Sequence, residues 1–152
     1  MTAPASPATP LDQSLARRLG MAGRLLRTAA DADLAQLGVA AAGLGVLLRL
    51  SGDDGQTQAQ LARSQRVEAP TMCRMIDRLV RDGLVERHAD PADRRATRVS
   101  LTPDGRDVAA RGADVVDELE SRAFADLDGP QAAALAAFLD RVIDRLSPAA
   151  AP

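Results

Sequence analysis

The sequence predicts a mainly α-helical domain carrying one small antiparallel β hairpin, and three observations lead there. Apolar residues recur at three- and four-residue spacing over most of the chain, the spacing of a single helix face. Only Leu84-Val85-Glu86-Arg87 and Arg98-Val99-Ser100-Leu101 alternate as short half-buried strands do. The chain has 152 residues, enough for one well-filled core and too few for a comfortable second domain.

Taken in order, residues 1–10 (MTAPASPATP) are rich in Pro, Ala, Ser and Thr and read as a disordered arm, as does the tail over 148–152. Residues 11–30 repeat Leu11, Leu15, Leu19, Ala22 and Leu25/Leu26 as a helix, and 33–50 make a second with Leu37, Leu44, Leu47 and Leu48. Ser51-Gly52-Asp53-Asp54-Gly55 is a turn. Thr57-Gln58-Ala59-Gln60 fits a capping box and starts a short helix through about Ser64. After the turn at Gln65–Glu68, Ala69-Pro70 opens another helix, where proline's missing N–H lacks no partner. Met72, Met75/Ile76 and Leu79/Val80 lie on one side of it, and Gly83 stops it. The two strands then flank DPADRRAT, which makes an unusually long hairpin tip. Thr102-Pro103 caps a long helix to about Ala125, mildly interrupted by Gly112 and broken by Asp128-Gly129-Pro130. The last helix carries the most regular stripe of all: Leu135, Phe138, Leu139, Val142, Ile143 and Leu146. One domain over 11–147 results, with a lobe at about 34–102 held between helices at about 11–30 and 104–147.

Composition removes several function classes. Aromatic residues amount to 1%, Phe124 and Phe138, so a platform of stacked rings for single-stranded nucleic acid is excluded. One histidine, one cysteine and no glycine-rich phosphate loop leave no catalytic constellation, so neither an enzyme nor a cofactor or metal site is expected. His88 reads as a surface residue or a phosphate contact. The lone Cys73 suits a reducing cytoplasm, and without a second cysteine it reads as a groove-facing or packing side chain rather than a redox sensor. No apolar run approaches the roughly 20 residues of a membrane span, and the N-terminus lacks the pattern of a signal peptide. All 19 basic residues are arginine. Between Thr57 and Thr102 nine arginines face six acidic residues, whereas the remainder holds ten against fifteen. A basic middle inside an acidic protein, net charge −2, fits a localised polyanion-binding face.

Helix, tight turn, helix and two-stranded hairpin in that order make a winged helix-turn-helix. The major groove of duplex DNA admits an α-helix whose first turns present side chains to base edges. Opposite its apolar side, the second of these helices carries Thr71, Arg74 and Arg78. The hairpin tip carries Arg94 and Arg95, with Arg98 behind them, within reach of a minor groove or the backbone. Asp93 structures the wing by bonding turn amides or pairing with a neighbouring arginine. The terminal stripes exceed what one small lobe needs to bury. They point to a homodimer through Leu11, Leu15, Leu19, Leu135, Phe138, Leu139, Val142, Ile143 and Leu146.

At this level of detail the chain resembles the MarR (multiple antibiotic resistance regulator) family of bacterial transcription factors. The resemblance rests on LARSQRVEAPTMCRMIDRLVRDGLVER followed by DPADRRATRVSLTPDGR. The family's wing signature, Asp-any-Arg, five residues, then Leu-Thr, is met by Asp93, Arg95, Leu101 and Thr102. It implies a triangular homodimer that represses by binding a palindrome in double-stranded DNA, with half-sites about 10 base pairs apart. Pro70, Thr71, Cys73 and Arg74 would face bases or phosphates, and Arg94 and Arg95 would occupy the wing. A small-molecule effector between dimer helices and lobe is also implied; the candidate lining is Leu19, Arg24, Leu44, Leu48 and Val108. Three departures stand out. Gln65-Arg66 replaces a common Leu-Gly, which either loosens the turn or brings Arg66 onto a phosphate. Glu68 puts an acid near the DNA, and Gln56 replaces an apolar residue, leaving the third wing strand vestigial. These features and the overall acidity also lean toward an alternative, a winged-helix protein-interaction module with weak or lost DNA binding.

Overall fold

The computed structural model describes residues 14–91, 93 and 96–147. The elements run α1 (Leu15–Leu34), α2 (Ala41–Gly52), β1 (Gln56–Thr57), α3 (Gln58–Ser64), α4 (Ala69–Arg81), β2 (Val85–Ala89), β3 (Thr97–Leu101), α5 (Pro103–Ala123) and α6 (Gly129–Leu146). The expected arm and tail, Leu11, and the wing arginines Arg94 and Arg95 lie outside the described residues. No single helix among those described is long and apolar enough to cross a membrane.

Where the apolar spacing predicts a helix starting at 33, the chain turns instead. α1 persists to Leu34, a single 3-10 turn covers Ala35–Leu37, and Gly38 takes a φ of 68°. Only glycine enters that left-handed region without strain, so the helix period breaks there. α2 starts at Ala41, whose N–H donates to Asp31 Oδ1 at 2.7 Å. A carboxylate from the preceding helix thus does the work of a cap.

The remaining starts follow the local sequence. Thr57 Oγ1 accepts from the Gln60 N–H at 3.2 Å while Gln60 Oε1 accepts from the Thr57 N–H at 2.8 Å, the reciprocal pair of a capping box. Thr102 Oγ1 accepts from the Gly105 N–H at 3.0 Å and opens α5. Asp128 and Gln131 form a second capping box at the head of α6, where the sequence reading has only a break.

The sheet has the order β1-β3-β2 and is antiparallel throughout. β2 and β3 pair from Val85 opposite Leu101 to Ala89 opposite Thr97. The third strand is short but present, with Gln56 opposite Val99 and Thr57 opposite Arg98. Gln56 is buried, and its amide donates to the carbonyl and the carboxylate of Asp53 at 3.0 and 3.1 Å. Those two bonds let a polar side chain occupy an apolar place.

One core joins these parts. Leu44, Val46, Leu47 and Leu50 of α2 meet Leu61 of α3, Met72, Ile76 and Leu79 of α4, and Val99 and Leu101 of β3. α5 closes over them because it carries glycine at its two tightest contacts. A Cβ on Gly105 would collide with the backbone carbonyl of Leu84, and one on Gly112 would collide with the Leu44 side chain. The first collision involves backbone and has no easy relief. Gly105→Ala is therefore expected to destabilise the fold by about 2 kcal/mol, the cost of overpacking a well-filled site. Gly52→Ala, in open space at the end of α2, should leave the melting temperature unchanged or slightly higher; equal losses in the two variants would refute the contact.

Candidate nucleic-acid interface

The helix-turn-helix is α3, the turn at 65–68, and α4. Burial of Met72, Ile76 and Leu79 turns the opposite flank of α4 outward. Pro70, Cys73, Arg74 and Arg78 are exposed there, and Thr71 is half-buried. Three- and four-residue spacing places Thr71, Arg74 and Arg78 together, and with Gly38 and Ala40 they line a cleft of about 500 Å³. Cys73 lies around the helix from them, its Sγ 3.9 Å from Asp77 Oδ2. Asp77 also receives Arg87 of β2 at 2.7 Å, which ties the wing sheet to α4. The sequence around Arg87 does not single out this pairing. Its partner is ten residues away on another element, and spacing does not reveal it.

At the base of the wing, Arg98, expected as a DNA contact, is engaged within the chain. Its Nε lies 3.0 Å from Asp90 Oδ2 and its Nη1 donates to the Gly55 carbonyl at 2.8 Å. Asp90 is 6% exposed, so removing Arg98 would take a charged partner from a buried carboxylate. The Asp90 N–H donates to the Ala96 carbonyl at 3.1 Å, and the Ala96 N–H to the Asp93 carbonyl at 2.9 Å. Asp93 thus serves the wing turn through its backbone carbonyl.

Arg66 is likewise engaged within the chain. The turn is not loose: Gln65 Nε2 donates to the Gly45 carbonyl of α2 at 2.9 Å. Arg66 itself faces the end of α6. Its Nη2 donates to Asp144 Oδ1 at 3.0 Å and its Nη1 contacts Ser147 Oγ, both at the end of α6.

The expected effector lining does not come together either. Leu44 is buried beneath Gly112, and Leu48 and Val108 are packed against the core. Leu19 and Arg24 are exposed on α1. A cleft of about 550 Å³ exists instead at the other end of the α2–α5 contact, lined by Leu26, Arg27, Thr71, Met75, Val116, Leu119, Glu120 and Phe124 among others. Core-facing and cleft-facing leucines look alike in sequence, because periodicity gives the apolar face of a helix and not the depth along it. Thr71 and Met75 border both clefts, so α4 forms the wall between them.

Residues 43–97 match the model of the MarR family. The chain is 32% identical over 120 residues to an HTH-type transcriptional repressor of Mycobacterium bovis, covering 79% of this chain and 86% of that one. The chain belongs to the MarR family. Solved structures agree in fold. A probable transcriptional regulator from Pseudomonas aeruginosa is 29% identical, with a TM-score of 0.82 over 88% of this chain and all of its own (100%). A MarR variant from E. coli complexed with operator DNA is 27% identical, with a TM-score of 0.80 over 89% of this chain and 99% of its own.

Within the MarR frame, this chain secures the wing base through Arg98 and Asp90. Arg98→Ala and Asp90→Ala are each expected to lower stability, and a double-mutant cycle should return a coupling of about 1 kcal/mol. Arg98→Lys should not rescue, because one ammonium lacks the planar fork that serves two acceptors. Strict additivity in thermal unfolding would show that the two side chains do not act together.

Proposed function

We propose that the chain is a homodimeric, sequence-specific repressor that reads a palindromic operator with α4 in the major groove and the wing alongside. The supporting observation is the division of α4. Its apolar side is buried while Thr71, Arg74 and Arg78 share the open one, in a fold that overlays an operator-bound relative. Arg94 and Arg95 at the wing tip complete the basic face on this reading. The family is one of transcription regulators rather than enzymes.

The homodimer is supported by α6, an 18-residue helix with no buried residue. Leu135, Phe138, Ile143 and Leu146 stand exposed along it and Leu139 and Val142 half-buried, while Leu15 and Leu19 are exposed on α1. A patch of that size on a monomer would be an aggregation hazard, and a second copy is the natural cover. The cleft between α1, α4 and α5 supports a small effector, largely apolar and anionic. Leu26, Val116, Leu119 and Phe124 give it apolar walls and Arg27 a cation. Occupancy there presses on Thr71 and Met75 of the reading helix, which is the physical route to release.

Two experiments test this reading. Arg94→Ala with Arg95→Ala should weaken operator binding at least about tenfold and flatten its log–log salt dependence by about 0.9 per phosphate lost, with the dimer intact. Salt-insensitive binding by the unmodified chain would favour the protein-interaction module. Leu139→Glu with Ile143→Glu should give monomers in sedimentation; dimers surviving both charges would refute the interface.

A further inference from the structure

The turn of the helix-turn-helix holds a residue whose backbone is costly to keep. Arg66 has a φ of 53°, the positive value seen outside glycine among the described residues. Glycine takes that conformation freely and branched or long L-residues rarely do. What the arginine gains lies far along the chain: Asp144 Oδ1 at 3.0 Å and Ser147 Oγ, in and just after the last turn of α6. Ser147 Oγ in turn donates to the Ile143 carbonyl at 2.8 Å, so the hydroxyl is already fastened to the helix end. Asp144 is itself misplaced without a counter-charge, since an acid near a helix C-terminus opposes the macrodipole. Next door, Gln65 grips the Gly45 carbonyl of α2. Consecutive turn residues therefore hold the lobe on one side and α6 on the other.

We propose that Arg66 is a positioning residue: through Asp144 and Ser147 it fixes the tilt of the helix-turn-helix against α6, and so the separation of the two reading helices in the dimer. The inference rests on the dimeric operator-binding reading above. In a two-fold dimer joined through α6, the link between each lobe and α6 sets where α4 stands. Fixing it beforehand removes an ordering cost from binding. The contact forms in a fold that overlays an operator-bound relative, and on this proposal the linked arrangement is the binding one. Both partners are exposed, 52% and 71%, so the effect is small and weakened by salt.

Asp144→Ala in the full-length protein separates this role from a phosphate contact, because the two give opposite signs. A positioning link loses affinity for operator duplex, by about threefold, with the salt slope unchanged. Arg66→Gly, which suits the left-handed backbone and should not unfold the turn, behaves the same way. Amide exchange over 143–147 quickens in both variants, although Asp144→Ala alone relieves the unfavourable dipole contact and would otherwise slow it. If Asp144 merely competes for a phosphate-binding Arg66, Asp144→Ala raises affinity and Arg66→Gly flattens the slope by about 0.9 per phosphate; that overturns the proposal. Unchanged affinity overturns it too, whatever exchange does. Failure of the unmodified chain to bind any duplex sinks the regulator reading instead, and unquickened exchange over 143–147 would still remove the link.

Discussion

Burial of one helix stripe constrains everything around it. Met72, Ile76 and Leu79 of α4 are essentially removed from water, and each such side chain contributes roughly 1.5–3 kcal/mol by leaving it. Together they amount to much of the net stability a small domain has, roughly 5–15 kcal/mol. An α-helix advances about 100° per residue, so the stripe cannot stay buried if the helix rolls by even one position. Fixing Met72 and Ile76 inward fixes Thr71, Arg74 and Arg78 on the far flank. Core formation and the presentation of that polar flank are one event in this chain.

The charged contacts sort by burial. Arg111–Asp107 and Arg106–Asp54 are exposed pairs at 3.4 Å, mostly solvated, and such pairs contribute little. Arg98–Asp90 differs because the carboxylate is buried and the guanidinium also serves the Gly55 carbonyl. It joins the residue before β1, the end of β2 and the start of β3, which is where a long hairpin would otherwise splay. An arginine adjacent to a basic loop is thereby drawn into the scaffold.

What was legible in the sequence is what local chemistry decides. The capping box at Thr57, the Thr102-Pro103 start, the α4 stripe and the β2–β3 pairing each depend on residues a few positions apart. Gly38 carried its own signal, but Leu34 and Leu37 continue the helical period across it and hide the turn. Arg66 and Gln65 could not be placed, because their partners lie 78 and 20 residues away, and Arg98 reaches the Gly55 carbonyl 43 residues back as well as nearby Asp90. Leu44 and Val108 are placed against the core for a related reason: periodicity gives the apolar face of a helix but not which part of that face meets a core and which meets a gap.

The charge distribution bears on how the proposed reader discriminates. Glu68 is the N-cap of α4 yet makes no side-chain cap hydrogen bond, so its carboxylate stays near the helix N-terminus without neutralising any one amide. That position is favourable for an acid in the free protein and is also where a phosphate would approach. The two compete, so generic backbone attraction at the head of α4 is reduced. Arg66 and Arg98, drawn into internal contacts, remove two more cations from the generic term. Among the side chains α4 turns outward are Thr71, Arg74 and Arg78, whose bonds on the proposed reading depend on base-edge geometry. Weakening contacts that every sequence offers equally, while keeping those that differ between sequences, raises the ratio of specific to non-specific binding even as absolute affinity falls.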